Sequence, residues 1–169
     1  MKHRVIFLET IALSDAQLDS ICRIKMEAWH YPIEEQKDWI KKNNLPNDIH
    51  VLLYEGIELV AYLFATKVTV TWDSNTVTAT GIGNVVVDPK HRGEGLGYEL
   101  LARFQSAVAK SGLALLLCKP GVVGFYQKCK WELYSGEVTC CGQPLTCNCM
   151  SINGKELSLA PKIELNRMF

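Results

Sequence analysis

Val85-Val86-Val87-Asp88-Pro89-Lys90-His91-Arg92-Gly93-Glu94-Gly95-Leu96-Gly97, continued by Tyr98-Glu99-Leu100-Leu101, is the stretch on which the reading of this chain turns. The β-branched valines read as a strand. Asp88-Pro89 breaks it, and a basic, glycine-rich loop then opens directly into an apolar-periodic helix. That order aims consecutive backbone N–H groups from the positive end of a helix, which is how chains hold phosphate. The glycines remove Cβ bulk so that an anion can approach the backbone, and they permit φ > 0. Arg92, Gly93, Glu94, Gly95, Leu96 and Gly97 are therefore candidate ligands of a phosphorylated cofactor.

The spacing narrows the choice. Arg-x-x-Gly-x-Gly is not the Gly-x-Gly-x-x-Gly of a dinucleotide site, nor a P-loop, which ends in Gly-Lys-Ser/Thr. Upstream, Arg4–Leu8 reads as a strand, and Ser14-Asp15-Ala16-Gln17 is a capping-box pattern opening a helix that runs to about Trp29. Tyr31-Pro32 breaks the chain, and Ile33–Asn43 reads as a second amphipathic helix. His50–Tyr54, Ile57–Trp72 and Thr76–Val87 are strands joined by short turns, which argues for antiparallel pairing. Downstream, Tyr98–Lys110 is a helix closed by Ser111-Gly112. Leu113–Cys118 is a continuous apolar run suited to a doubly buried strand. Gly121–Lys128 is a short helix, and strand resumes from Trp131. The strand–helix–strand unit around the loop predicts one parallel pair through a right-handed crossover.

The length, 169 residues, suits a single domain with a substantial core, and no linker or repeat is visible. Formal charge balances to zero, so no global field points to nucleic acid or to an anionic membrane surface. The apolar run Val5-Ile6-Phe7-Leu8 is too short for a signal-peptide core or a membrane span. Seven cysteines scattered through expected helices and strands favour a reducing cytoplasm over a disulfide framework.

The loop resembles the acyl-coenzyme A loop of the GNAT superfamily of N-acyltransferases, Arg/Gln-x-x-Gly-x-Gly/Ala between a strand and a helix, with Arg92, Gly95 and Gly97 at the matching positions. Further along, Gly124-Phe125-Tyr126-Gln127-Lys128-Cys129-Lys130-Trp131 resembles the second GNAT signature, Leu/Phe-Tyr-x-Lys-x-Gly-Phe. Two matches in the family's order and separation are far harder to reach by chance than one. The resemblance implies a GNAT fold of the α/β (α+β) type: a central mixed, mostly antiparallel sheet of six to seven strands, flanked by helices on both faces. It implies an N-acetyltransferase domain over 1–169 that uses acetyl-coenzyme A as co-substrate and a primary amine as acceptor. It implies that Tyr126 protonates the departing thiolate. The backbone of Val85, Val86 and Val87 would pair with the pantetheine arm as an added strand does, with a strand N–H polarising the thioester carbonyl.

Departures from the pattern bear on the acceptor side. Lys130 stands where the family usually has glycine, and the expectation is a locally different turn. Lys119 replaces an asparagine that faces the coenzyme in many members, so that contact is not carried over. Where many members carry a general base, this strand has Gly81, Ile82, Gly83 and Asn84. Glycines within a strand mark close approach of a ligand or backbone, and Gly81 and Gly83 are expected to open floor space for the acceptor. His30, Glu34 and Glu35, near the junction of the first two helices, are candidate substrate and proton-accepting residues. Glu27, Glu34, Glu35 and Asp38 would suit a cationic, aminoglycoside-like acceptor; a basic protein or peptide target fits the same charges. The alternative of another class is a non-catalytic acyl-coenzyme A sensor. Cys140-Cys141 and Cys147-x-Cys149 fit zinc spacing poorly and read as β-hairpin cysteines, with no metal expected. The apolar C-terminal strand would serve either packing or a homodimer.

Overall fold

The computed structural model describes residues 2–108 and 112–169. Its strands are β1 (His3–Glu9), β2 (Ile49–Glu55), β3 (Glu58–Trp72), β4 (Asn75–Val87), β5 (Ala114–Cys118), β6 (Glu132–Leu133), β7 (Glu137–Cys140), β8 (Gln143–Pro144), β9 (Asn148–Ile152) and β10 (Lys162–Leu165). The α-helices are α1 (Asp15–Met26), α2 (Ile33–Asn43), α3 (Leu96–Val108) and α4 (Val123–Lys128). The hydrogen-bonded order is β6-β9-β5-β4-β3-β10-β7-β8, with β2 on β3 and β1 on β2. This is a mixed sheet flanked by helices. The helix ending expected at Lys110 and Ser111 lies outside the described residues; Gly112 beyond it has φ +102°, the conformation its glycine was expected to supply.

Contacts group the chain into two compact units, Met1–Ala65 with Asn84–Ala107 and Thr66–Gly83 with Val108–Phe169. In the first, Ser14 accepts from Gln17 N while Gln17 Oε1 accepts from Ser14 N at 3.0 Å, so the capping box closes as expected. The helix it starts buries Leu18, Ile21, Cys22 and Ile24 with Ile40 of α2 against Leu52, Tyr62, Phe64 and Val86 of the strands. Antiparallel registers run His3↔Glu55 to Glu9↔Ile49 and Ile49↔Ala65 to Glu55↔Glu58.

The second unit contains the expected parallel pair, β4 with β5, in register Thr80↔Ala114 to Ile82↔Leu116. It also accounts for ten strands in place of six or seven. Residues after Trp131 fold into five short strands, and β10 inserts between β3 (Leu165↔Val70, antiparallel) and β7 (Ile163↔Val138, parallel). The apolar C-terminal strand is thus consumed in its own sheet: Ile163 and Leu165 are fully buried with Val70, Tyr134 and Val138.

Candidate active site

In the first unit, β4 ends with Val86 packed in the core and Val85 and Val87 half-buried on the other face. Residues 85–87 lie beyond the β4–β5 register, which closes at Ile82↔Leu116. Asp88 stops the strand: its N–H donates to Val60 O at 2.9 Å, and its carboxylate accepts from Lys90 N at 2.8 Å, opening a 3-10 turn over Pro89–His91. His91 Nδ1 lies 3.7 Å from Glu55 Oε2 and 3.5 Å from Glu94 Oε2, bracing the entry to the loop.

Gly93 and Gly95 then take φ +86° and +82°, and no atom lies within 4 Å of a Cβ built on either. Their glycine identity answers to backbone conformation and leaves the loop surface open. The carbonyl of Gly95 accepts from Glu99 N at 3.0 Å, so α3 starts here with Leu96 buried beneath it. Neither Gly93 nor Gly95 donates a backbone hydrogen bond within the described chain. A helix also leaves its first N–H groups, here those of Leu96 and Gly97, without intrahelical acceptors. Open N–H groups, the α3 dipole and the exposed Arg92 fit a phosphate-bearing co-substrate.

The same unit holds a cavity of about 460 Å³ between α1, α2 and the bend of β4. Trp29, just past α1, and Tyr31 and Trp39 give it aromatic walls. Lys25 of α1 lines it and is 7% exposed; its ammonium sits 5.7 Å from the Trp39 ring centroid. Burial pushes its pKa down. Gln36 is also buried, donating through Nε2 to Tyr31 O at 2.8 Å, while its Oε1, itself enclosed, has no hydrogen-bond partner among the described residues. Asn84, at φ +54°, puts a left-handed bend into β4 at the cavity edge. Of the acidic residues expected here, Glu35 lines the cavity. Glu34 is exposed and pairs with Lys37 at 2.9 Å, and His30 is exposed away from the lining. Sequence reasoning missed Lys25, Gln36 and the two tryptophans. The available signal was Lys25 on the buried stripe Leu18–Ile21–Cys22, where a solvated lysine does not belong.

In the second unit, α4 carries Tyr126, 9% exposed and edge-on to Phe125 at 5.0 Å. Burial, with smaller help from Cys118 and Cys129, pushes its pKa up to about 12, so the phenol keeps its proton. Its hydroxyl has no hydrogen-bond partner among the described residues. Lys130 N donates to Gln127 O at 2.9 Å and Trp131 N to Tyr126 O at 3.0 Å, which is a Schellman closure of α4. That closure needs a left-handed residue at position 130, and Lys130 takes φ +66°. The expected local difference in the turn is therefore corrected: lysine adopts the glycine conformation. Lys119 is exposed and caps the 3-10 turn Pro120–Val122.

A second correction concerns Gly81 and Gly83. They make room for the chain itself. A Cβ on Gly81 would stand 2.6 Å from the Phe169 ring, and one on Gly83 would stand 2.7 Å from the Phe169 backbone. The cysteine segment is a tight hairpin, Cys140↔Gln143, turned by Cys141 (φ +50°) and Gly142 (φ +76°). Cys140 and Cys149 are buried and Cys141 is exposed; among the described residues no group of three or more His, Cys, Asp or Glu could hold a metal ion. No described helix is long and apolar enough to cross a membrane.

Comparison with known proteins agrees with this fold. A family model described as an acetyltransferase (GNAT) domain matches residues 9–134. By sequence, no curated protein matches the chain. Among solved structures, Escherichia coli ElaA is similar at TM-score 0.62 and 19% identity, over 88% of this chain and 98% of that one. An acyl-CoA N-acyltransferase from Pseudomonas aeruginosa is similar at 0.62 and 17%, over 88% and 98%. An aminoglycoside 6'-N-acetyltransferase complexed with coenzyme A is similar at 0.61 and 16%, over 87% and 96%. These likenesses speak to the fold. With its family model matched over most of its length, the chain belongs to the GNAT acetyltransferase family and is an acyltransferase.

Proposed function

We propose that this chain, acting over residues 1–169 as one N-acetyltransferase domain, moves an acetyl group from acetyl-coenzyme A to the primary amine of a small molecule by direct attack. The loop N–H groups of Gly93, Gly95, Leu96 and Gly97, with the Arg92 side chain, hold the pyrophosphate, and Glu94 shapes the same loop. The backbone of Val85, Val86 and Val87 pairs with the pantetheine arm. The amine nitrogen bonds to the thioester carbonyl carbon, the carbon–sulfur bond breaks, and Tyr126 delivers its phenolic proton to the leaving thiolate. The amine's surplus proton leaves to water, and water returns a proton to the Tyr126 phenolate. The seven cysteines, all free thiols, support a reducing cytoplasm as the place of work.

The observation that carries this reading is Tyr126: a buried phenol, held in its protonated form, whose hydroxyl no described residue uses. The test is release of free thiol from acetyl-coenzyme A across a panel of primary amines. Release with at least one amine is expected, and Tyr126→Phe should lower kcat on the order of 100-fold with little change in KM for the coenzyme. Coenzyme binding without release for any amine would overturn it.

A further inference from the structure

Within that reading, the cavity between α1 and α2 speaks to the acceptor. A buried ammonium is normally paired, because an isolated charge away from water is costly. Lys25 is buried, lines the cavity and forms no ion pair with a described carboxylate; its ammonium lies over the Trp39 ring. Gln36, also buried, lines the same space. The exposed Glu35 adds one negative charge at the lining. One buried cation and one carboxylate, separated by indoles, suit a ligand bearing both charges around an apolar body. They do not suit a polycation, which would meet Lys25 as a like charge.

We propose that this cavity takes an amino acid with an apolar or aromatic side chain: Lys25 Nζ binds its carboxylate, Glu35 accepts from its amine, and Trp29 and Trp39 pack its side chain. The volume, about 460 Å³, is within the range of small-molecule sites. Asn84, next to Val85, brings the bend of β4 to the cavity edge. This assignment rests on the acetyl-transfer reading for its chemistry, but binding can be measured without turnover.

The experiment is titration calorimetry of the full chain with coenzyme A present, using phenylalanine, phenylalaninamide and phenethylamine. The three share an amine and a ring and differ in the carboxylate. Phenylalanine should bind about 30-fold tighter than its amide, the scale of a hydrogen bond to a charged group. In Lys25→Met that ratio should collapse to about 1, whereas Glu35→Gln should weaken all three ligands together. Equal or tighter binding of the amide to the wild-type protein would overturn the proposal, as would an acid preference that persists in folded Lys25→Met. Should Lys25→Met not fold, the wild-type acid-to-amide ratio decides alone. Carboxylate-selective binding without thiol release would leave this site standing while removing the acetyl-transfer reading, so the two failures are distinct.

Discussion

Two buried nitrogen bases in the first unit have met opposite fates. His50 on β2 is fully buried, and both ring nitrogens are engaged: Nδ1 lies 2.8 Å from the Tyr62 hydroxyl and Nε2 3.0 Å from Thr10 Oγ1. Thr10 spends its proton on Asp48 O at 3.3 Å, so it accepts from Nε2–H, and Tyr62 donates to Nδ1. A neutral imidazole is thereby satisfied completely. Lys25 on α1 is nearly as buried, yet no described carboxylate answers it, and it faces a cavity. Burial with partners builds structure, whereas burial without them leaves a group available to a ligand.

The largest expected effect tests the satisfied side. Burial, aided by the Lys25 charge and opposed by Asp48, drives the His50 pKa from 6.5 to about 4. The folded state then binds fewer protons than the unfolded state between those values. Its contribution is fully present above pH 6.5 and is lost as pH falls toward 4. The window corresponds to about 3 kcal/mol. Urea unfolding at pH 7 and pH 4 should show the wild-type protein losing about that much more stability than His50→Gln; parallel losses would mean that His50 is not the sensor.

A somewhat smaller effect asks the same question of space. Gly83 is met by Phe169 backbone, whereas Gly93 is met by nothing. Gly83→Ala should cost about 2 kcal/mol by overpacking. Phe169→Ala should rescue Gly81→Ala, whose clash is with the ring, and fail to rescue Gly83→Ala, whose clash is with backbone. Thermal melts of the two double variants read this directly, and equal rescue would refute the assignment of the clashes.

Lys25→Met turns the comparison around, because here removal should help. A lysine buried for structure would destabilise when lost. An unpaired ammonium replaced by a thioether of similar shape should instead stabilise by about 1 kcal/mol, net of the lost contact with Trp39. Chemical denaturation at pH 7 gives the sign, and a clear loss of stability would make Lys25 a structural residue after all.

Local signals were the legible ones. The Ser14–Gln17 capping box and the second helix, expected and found at Ile33–Asn43, depend on neighbours within a turn. The glycine loop was legible for the same reason, since strand, breaker and helix follow one another directly. The pairing of the C-terminal strand β10 was not, because its partners at Val70 and Val138 are remote in sequence and nothing in Lys162–Leu165 names them. The glycines show a subtler limit: sequence marks that a side chain is unwelcome at 81, 83, 93 and 95, but not whether space or φ is the reason. Lys25 was hidden by its helical spacing, which places it correctly on α1 and says nothing of the missing carboxylate.

The smallest expected effect carries the contrast to the backbone, where Asn84 and Lys130 both hold φ > 0. Asparagine visits this region readily through local hydrogen bonding, while lysine has no such compensation. Lys130 is exposed, so its side chain offers no burial in exchange. Lys130→Gly should therefore stabilise by about 0.5 kcal/mol, the relief of left-handed strain less the entropy a glycine adds to the unfolded chain. Asn84→Gly should gain nothing. The Schellman closure ties this position to Gln127 O and the next, Trp131, to Tyr126 O, so a melt in which Lys130→Gly destabilises would mean that lysine's own contacts hold the turn, and that α4 is positioned by them.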